Sequence, residues 1–553
     1  MNSHYRSERS KRSKRGEFGT AMRLFVLFLY MTAMNGKVSA APYQVAEKDI
    51  ATLQADMAAG RVTSADLVRA YITRIDALDR KGPQLRAVIA VNPSAIADAM
   101  VLDAERKAKG ARGPLHGIPI LLKDNIETAD PMPTTAGSLA LADNITHRDA
   151  PLVARLRSAG AVVLGKTNLS EWANFRSSHS ISGWSGIGGL VKNPYVLDRS
   201  ACGSSAGSAV AVASSLAAAA VGTETNGSLV CPGSFNGIVA FKPTLGLVSR
   251  THVVPISHSQ DTAGPMARTV ADAGMLLNAM SGSDAADAAT ANADMKKSDF
   301  AALSIASLQG KRLGVVMPPP GAPTSDTDML LAQALAALKA RGAEIVELHD
   351  FVTPPQASFS SAAERLVLQY EFKNDLNAYL ASLPAGPIHT LSDLIAFNAA
   401  SPRETALFGQ NIFIESDGRG DLSDPAYIQA HKELKRLATG TLDEMFRRYH
   451  LDALIRPTTE PAFRIDMVRG NAAGGGEFTG LSAVAGYPHL TVPMGYVHAL
   501  PVGLSFIGPA WSDARMLALG YAFEQTTHAR KAPNYLPSLE ATAGAGNAFA
   551  PAH

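Results

Sequence analysis

Cysteine occurs only twice in this chain, at Cys202 and Cys231, which excludes a disulfide-rich scaffold and a four-cysteine zinc site. A His-Glu-x-x-His pattern is also missing, and with it the usual helical zinc signature. Charge is sparse and balanced: 18% of residues are charged, and 51 basic against 49 acidic side chains give a net charge of +2. That balance lacks the basic footprint of a nucleic-acid binder. What is present is apolar material, 46% of 553 residues, enough for a large core. Usual domain sizes allow two or three domains, or one large α/β domain carrying an insertion.

Charge is uneven in one place. The first 40 residues hold eight Lys or Arg against two acidic residues, leaving 43 basic and 47 acidic in the remainder. This basic stretch precedes an apolar run at 24–34, then Val38-Ser39-Ala40, a small-x-small cleavage pattern ahead of Ala41 and Pro42. Together they predict a secretory signal over residues 1–40. The run falls short of the roughly 20 apolar residues that span a bilayer, so no stable membrane insertion is expected after cleavage. An uncleaved anchor is the alternative, and Met22 is a second candidate start. Export to a bacterial periplasm is the expected location.

Along the mature chain, helix signals come first. Ser64 is placed to cap a helix whose Leu67, Val68, Tyr71, Ile75 and Leu78 share one face. A second helix is predicted over 95–109, stopped by Gly110. Short apolar runs at 118–122 and 161–164 then alternate with helical segments such as 151–158, a layered α/β pattern. Further strands are expected at 312–317, 343–348, 453–455, 489–492 and 502–507. The span 325–450 reads mostly helical, including 328–340 and 427–449, and Pro318 to Pro323 marks a break before it. Residues 41–540 are expected to form one α/β domain, and 541–553 a loose tail.

The chemistry concentrates between Cys202 and Pro232, where two serine-bearing glycine turns flank a small-residue helix. Gly203-Ser204-Ser205-Ala206-Gly207 fits a nucleophile elbow on Ser205. An elbow needs a strand before it, yet 193–201 reads as loop, with Pro194, Asp198 and Arg199. The favoured alternative makes Ser204 a relay and Ser228 the nucleophile. Backbone N–H groups of Thr225, Asn226, Gly227 and Ser228 would then form an oxyanion hole, with Gly227 allowing close approach. Lys123 follows Ile120-Leu121-Leu122 in a strand that reads as buried, where burial disfavours its charge and makes it a candidate base. Tight turns around a helix, and a solvated lysine, are the plain structural alternatives. The two cysteines are expected as small buried thiols, with a bridge left open because spacing does not give distance.

The segments HGIPILLKDNI, GKTNLSEWANF, CGSSAGSAVAVAS, GTETNGSLVCP, FKPTLGLVSR and DTAGPMARTV, resumed by DALIRPTT, AGYPHLTVPMG and LPVGLSFIG, resemble the amidase signature family of serine hydrolases over most of the mature chain. SEWANF, ISGWS and CGSS are most similar to its bacterial peptide amidases, which deamidate C-terminally amidated peptides. The resemblance implies an α/β fold with a large mixed central sheet covered by helices on both sides. It implies a Ser-cisSer-Lys triad of Ser228, Ser204 and Lys123, an acyl-enzyme on Ser228, release of ammonia, and a cis Gly203-Ser204 peptide. Neither cofactor nor metal is implied, and the expected partner is a peptide or small-molecule amide, not nucleic acid. Asn174 is carried over as a substrate contact. Asn226 departs from the glycine common in the family and from the acidic residue of peptide amidases, which bears on substrate preference; Ala206 departs from a common Ser or Gly. General aliphatic or aryl acylamidase activity is the alternative, followed by an amidotransferase component or a catalytically silent binding protein.

Overall fold

A strand layer organises the chain from Val45 onward. The structure is a computed structural model describing residues 43–317, 324–349, 351–358, 361–384, 386–471 and 477–541. The expected secretory signal, the break at 318–323 and the tail after Ala541 lie outside the described residues. The strands are β1 (Val88–Val91), β2 (Pro119–Lys123), β3 (Val162–Thr167), β4 (Trp184–Ser185), β5 (Gly189–Leu190), β6 (Ala219–Glu224), β7 (Val239–Lys242), β8 (Thr262–Ala267), β9 (Arg312–Val316), β10 (Glu344–Leu348), β11 (Ala453–Pro457), β12 (His489–Val497) and β13 (Leu500–Ile507). Eleven of them form one mixed sheet in the order β1-β3-β2-β6-β8-β7-β12-β13-β11-β9-β10, while β4 and β5 pair alone. The class is α/β, as the alternation of elements predicts, with the large mixed central sheet that the resemblance implies. No described helix is long and apolar enough to cross a membrane.

Helix Ser64–Arg74 begins one residue earlier than expected. Thr63, with extended backbone, accepts from Asp66 N–H at 3.1 Å in a capping box, whereas Ser64 is already helical and donates its hydroxyl to Gly117 O at 2.7 Å. Leu67, Val68, Tyr71 and Ile75 are buried as the periodicity predicts, with Leu78 half-buried. Helices Ala95–Lys109 and Pro151–Ser158 match their predicted bounds.

The larger difference lies between the two serine turns. Helix Ala206–Ala213 is followed by β6, a strand that sequence periodicity hid behind Ala219, Ala220 and Gly222. Alanine and glycine are poor strand formers on propensity. Here β6 sits between β2 and β8 with every residue buried. At Gly222 an added Cβ would lie 2.7 Å from both Leu229 Cδ2 and Ser205 Oγ, so the small residues are what let the helix and the second turn close on the strand. The helix-strand return brings both serine turns together, and Ser205 N–H donates to Ser228 O at 3.2 Å. It also corrects the expectation of two free thiols: Cys202 and Cys231 form a disulfide, with Cα atoms 6.0 Å apart.

Candidate active site

The base of the site is where two parallel strands end side by side. β2 pairs with β6 through Ile120–Ala219, Leu121–Ala220 and Leu122–Val221, which carries Lys123 and Thr223 to the carboxyl end of the sheet, where open α/β sheets commonly bind ligands. Lys123 Nζ lies 2.7 Å from Thr223 Oγ1, 3.3 Å from Thr223 O and 2.7 Å from Ser204 Oγ. Asn125 Nδ2 donates to the same threonine hydroxyl at 3.0 Å. Lys123 is fully buried, and that burial lowers its pKa to about 7 against the opposing pull of Asp261 and Glu224. An amine so tuned is neutral in a useful fraction near neutral pH.

Ser204 follows a cis Gly203-Ser204 peptide and is fully buried, its carbonyl accepting from Ser170 N–H at 3.0 Å. Ser205 has a different job. Its hydroxyl donates to Thr223 O at 3.0 Å and accepts from Thr223 N–H at 3.2 Å, tying the helix start to β6. With no strand over 200–205, Ser205 lacks the strand-turn-helix setting that a nucleophile elbow requires.

Ser228 stands at the mouth of the second turn, 8% exposed. Gly227 has φ of +80°, a left-handed conformation that glycine adopts without Cβ strain. Glu224 Oε2 accepts Leu229 N–H at 2.7 Å and Val230 N–H at 3.1 Å, which anchors the chain just after Ser228. The N–H groups of Asn226, Gly227 and Ser228 donate to no protein acceptor among the described residues, so they remain open to a ligand oxygen. Thr225 is held by its hydroxyl on Asp261 at 2.6 Å. The structure thus joins Lys123 to Ser204 directly, whereas the Ser204 and Ser228 hydroxyls share no hydrogen bond among the described residues; such contacts often tighten only with substrate bound.

Asn174 lies on an unusual backbone: Trp172, Ala173 and Asn174 have φ of 49°, 51° and 75°. Two residues on, buried Arg176 lies 3.4 Å from Glu171 Oε1, donates to Glu404 O at 2.5 Å and packs 4.3 Å over the Phe408 ring. Burial, reinforced by the Glu404 carboxylate, pushes the Glu171 pKa well up despite Arg176. This cluster borders the segment that carries Asn174, whose Oδ1 is buried with no partner among the described residues. A cavity of about 450 Å³ touches Asn125, Thr223 and Thr225 on one side and Ala173 on another, but Ser204 and Ser228 are not on its wall. Its wall meets the cluster at Thr223, which holds Lys123 Nζ. Among the described residues no group of three or more His, Cys, Asp or Glu is arranged to hold a metal ion.

Sequence reasoning missed Thr223, Asn125, Asp261 and Glu364. Thr223, Asn125 and Asp261 lie inside the quoted motifs, and adjacency to Lys123 and Ser228 could have raised the first two. Glu364 carries no local signal, since it comes from the helical span.

The family model for Amidase matches residues 66–517. A probable amidase of Arabidopsis thaliana is 37% identical over 510 residues, covering 89% of this chain and 93% of that protein. A putative amidase of Arthroderma benhamiae is also 37% identical over 510 residues, covering 87% and 82%. Among solved structures, the native peptide amidase from Stenotrophomonas maltophilia superposes with a TM-score of 0.84 at 50% identity, covering 89% of this chain and 100% of that one. The chain belongs to the amidase family, the amidase signature enzymes. Its activity is accordingly the hydrolysis of amides.

Proposed function

We propose that the enzyme deamidates C-terminally amidated peptides through an acyl-enzyme on Ser228. Ser228 Oγ attacks the carboxamide carbon, its proton passes to Ser204, and the Ser204 proton passes to neutral Lys123. The oxyanion is received by N–H groups of the 225–228 turn. Lys123 then returns the proton through Ser204 to the leaving nitrogen, the C–N bond breaks and ammonia departs. Water repeats the sequence on the ester so formed, releasing the acid and restoring Ser228. The observation that carries this assignment is the 2.7 Å contact between Ser204 Oγ and a fully buried Lys123.

Two observations support a peptide substrate. The Oδ1 atoms of Asn125 and Asn174 are buried acceptors with no partner among the described residues, and peptide amides bring several N–H donors, where a simple aryl amide brings few. The 50% identical structure is a peptide amidase. Ammonia release from an amidated dipeptide is expected to exceed that from a simple aryl amide by about tenfold or more in kcat/KM, the scale of one unmatched polar contact. Equal or reversed preference would leave the chemistry and discard the peptide.

The N-terminal pattern and the disulfide together support export, because disulfides persist in oxidising compartments. Protein recovered from the periplasm of an expressing bacterium is expected to begin at Ala41, as read by N-terminal sequencing. Cytoplasmic protein retaining the residues before Ala41 would overturn it.

A further inference from the structure

Helix Ala362–Ala381 sends one side chain to the nucleophile turn. Glu364, in its first turn, is 1% exposed. Its Oε1 accepts from Asn226 Nδ2 at 2.6 Å and from Gln260 Nε2 at 3.0 Å, while Gln260 also reaches Thr225 O at 3.3 Å. A carboxylate offers only acceptors to these amides. Asn226 therefore has one satisfactory orientation, with its nitrogen on Glu364 and its oxygen turned elsewhere. That oxygen is buried and has no hydrogen-bond partner among the described residues, and it belongs to a residue two positions before Ser228. A buried acceptor without a donor is unfavourable until something supplies the donor.

We infer that Glu364 is a positioning residue that holds Asn226 with Oδ1 ready to accept an N–H of the scissile carboxamide, making the site selective for amides over esters of the same acyl group. The inference rests on Ser228 being the nucleophile. An ester offers an alkoxy oxygen, which gives Asn226 Oδ1 nothing to accept. Glu364→Gln replaces the acceptor by a group that can also donate, so Asn226 is free to turn its nitrogen toward the substrate. The oxyanion hole serves both substrates alike, so a general loosening of the turn would lower both together.

The test is kcat/KM for an amidated dipeptide and for the methyl ester of the same dipeptide. In Glu364→Gln the amide-to-ester ratio is expected to fall about tenfold, the scale of a lost specific hydrogen bond. Adding Asn226→Asp to Glu364→Gln restores a directed acceptor on the turn and is expected to recover the ratio to within about threefold by the same scale. Asn226→Ala reads the same ratio without altering the helix, so a Glu364 variant that fails to fold does not end the test. A ratio unchanged in Glu364→Gln and Asn226→Ala, or equal loss on both substrates, overturns the inference alone. Ser228→Ala that still turns over both substrates overturns the nucleophile assignment and this inference with it.

Discussion

Ser228→Ala is expected to lower ammonia release by about 10⁴-fold or more, on the scale seen when a nucleophile is removed from a cooperating set. Lys123→Met should cost nearly as much, because the proposed proton path runs through Lys123, Ser204 and Ser228, and members of such a path act as a unit. Methionine suits the space, since Lys123 is fully buried and its ammonium is disfavoured there. The variant should therefore fold, and its inactivity would report chemistry. The pH dependence supplies a second reading. In the proposed mechanism Lys123 works as a base only when neutral, so wild-type activity should rise with pH through about 7, where burial places its pKa, and level off above. An unperturbed lysine would place that rise near 10.4. Steady-state ammonia assays across this window check both points. More than about a hundredth of wild-type activity in Ser228→Ala, or a rise centred near the free-lysine value, would sink the assignment.

The second large effect concerns stability. Replacing both cysteines by alanine should cost about 3–4 kcal/mol, the chain-entropy value for a crosslink whose partners are 29 residues apart. Cys202 lies two residues before Ser204 and Cys231 three after Ser228, so the bridge staples the two turns whose alignment the proposed proton path needs. Urea unfolding of the double variant, and of wild type with and without reductant, measures the effect. Midpoints shifted down together in the variant and the reduced wild type are expected; an unchanged midpoint in both would show that packing alone holds the turns.

Legibility differed by region for physical reasons. Helices with caps and one apolar face, such as Ser64–Arg74 and Ala95–Lys109, announced themselves apart from a one-residue error at Thr63. The apolar run of β2 did as well, and with it the burial of Lys123. β6 did not, because a strand enclosed on both sides by close neighbours needs small residues, and small residues imitate a helix or a loop. The pairing of Cys202 with Cys231 was hidden for the same reason, as it depends on the helix-strand return. Glu364 was invisible because its meeting with Asn226 spans 138 positions and follows from tertiary packing alone.

The residues around the site come from two separate stocks. Lys123, Thr223, Ser204 and Ser228 belong to strand ends and adjoining turns in the first half of the chain. Glu364, which accepts from Asn226, and Glu404, whose carbonyl accepts from Arg176, both arise from the helical span after residue 325. An engineer could diversify that span to alter which amides are accepted, leaving the reactive groups in place.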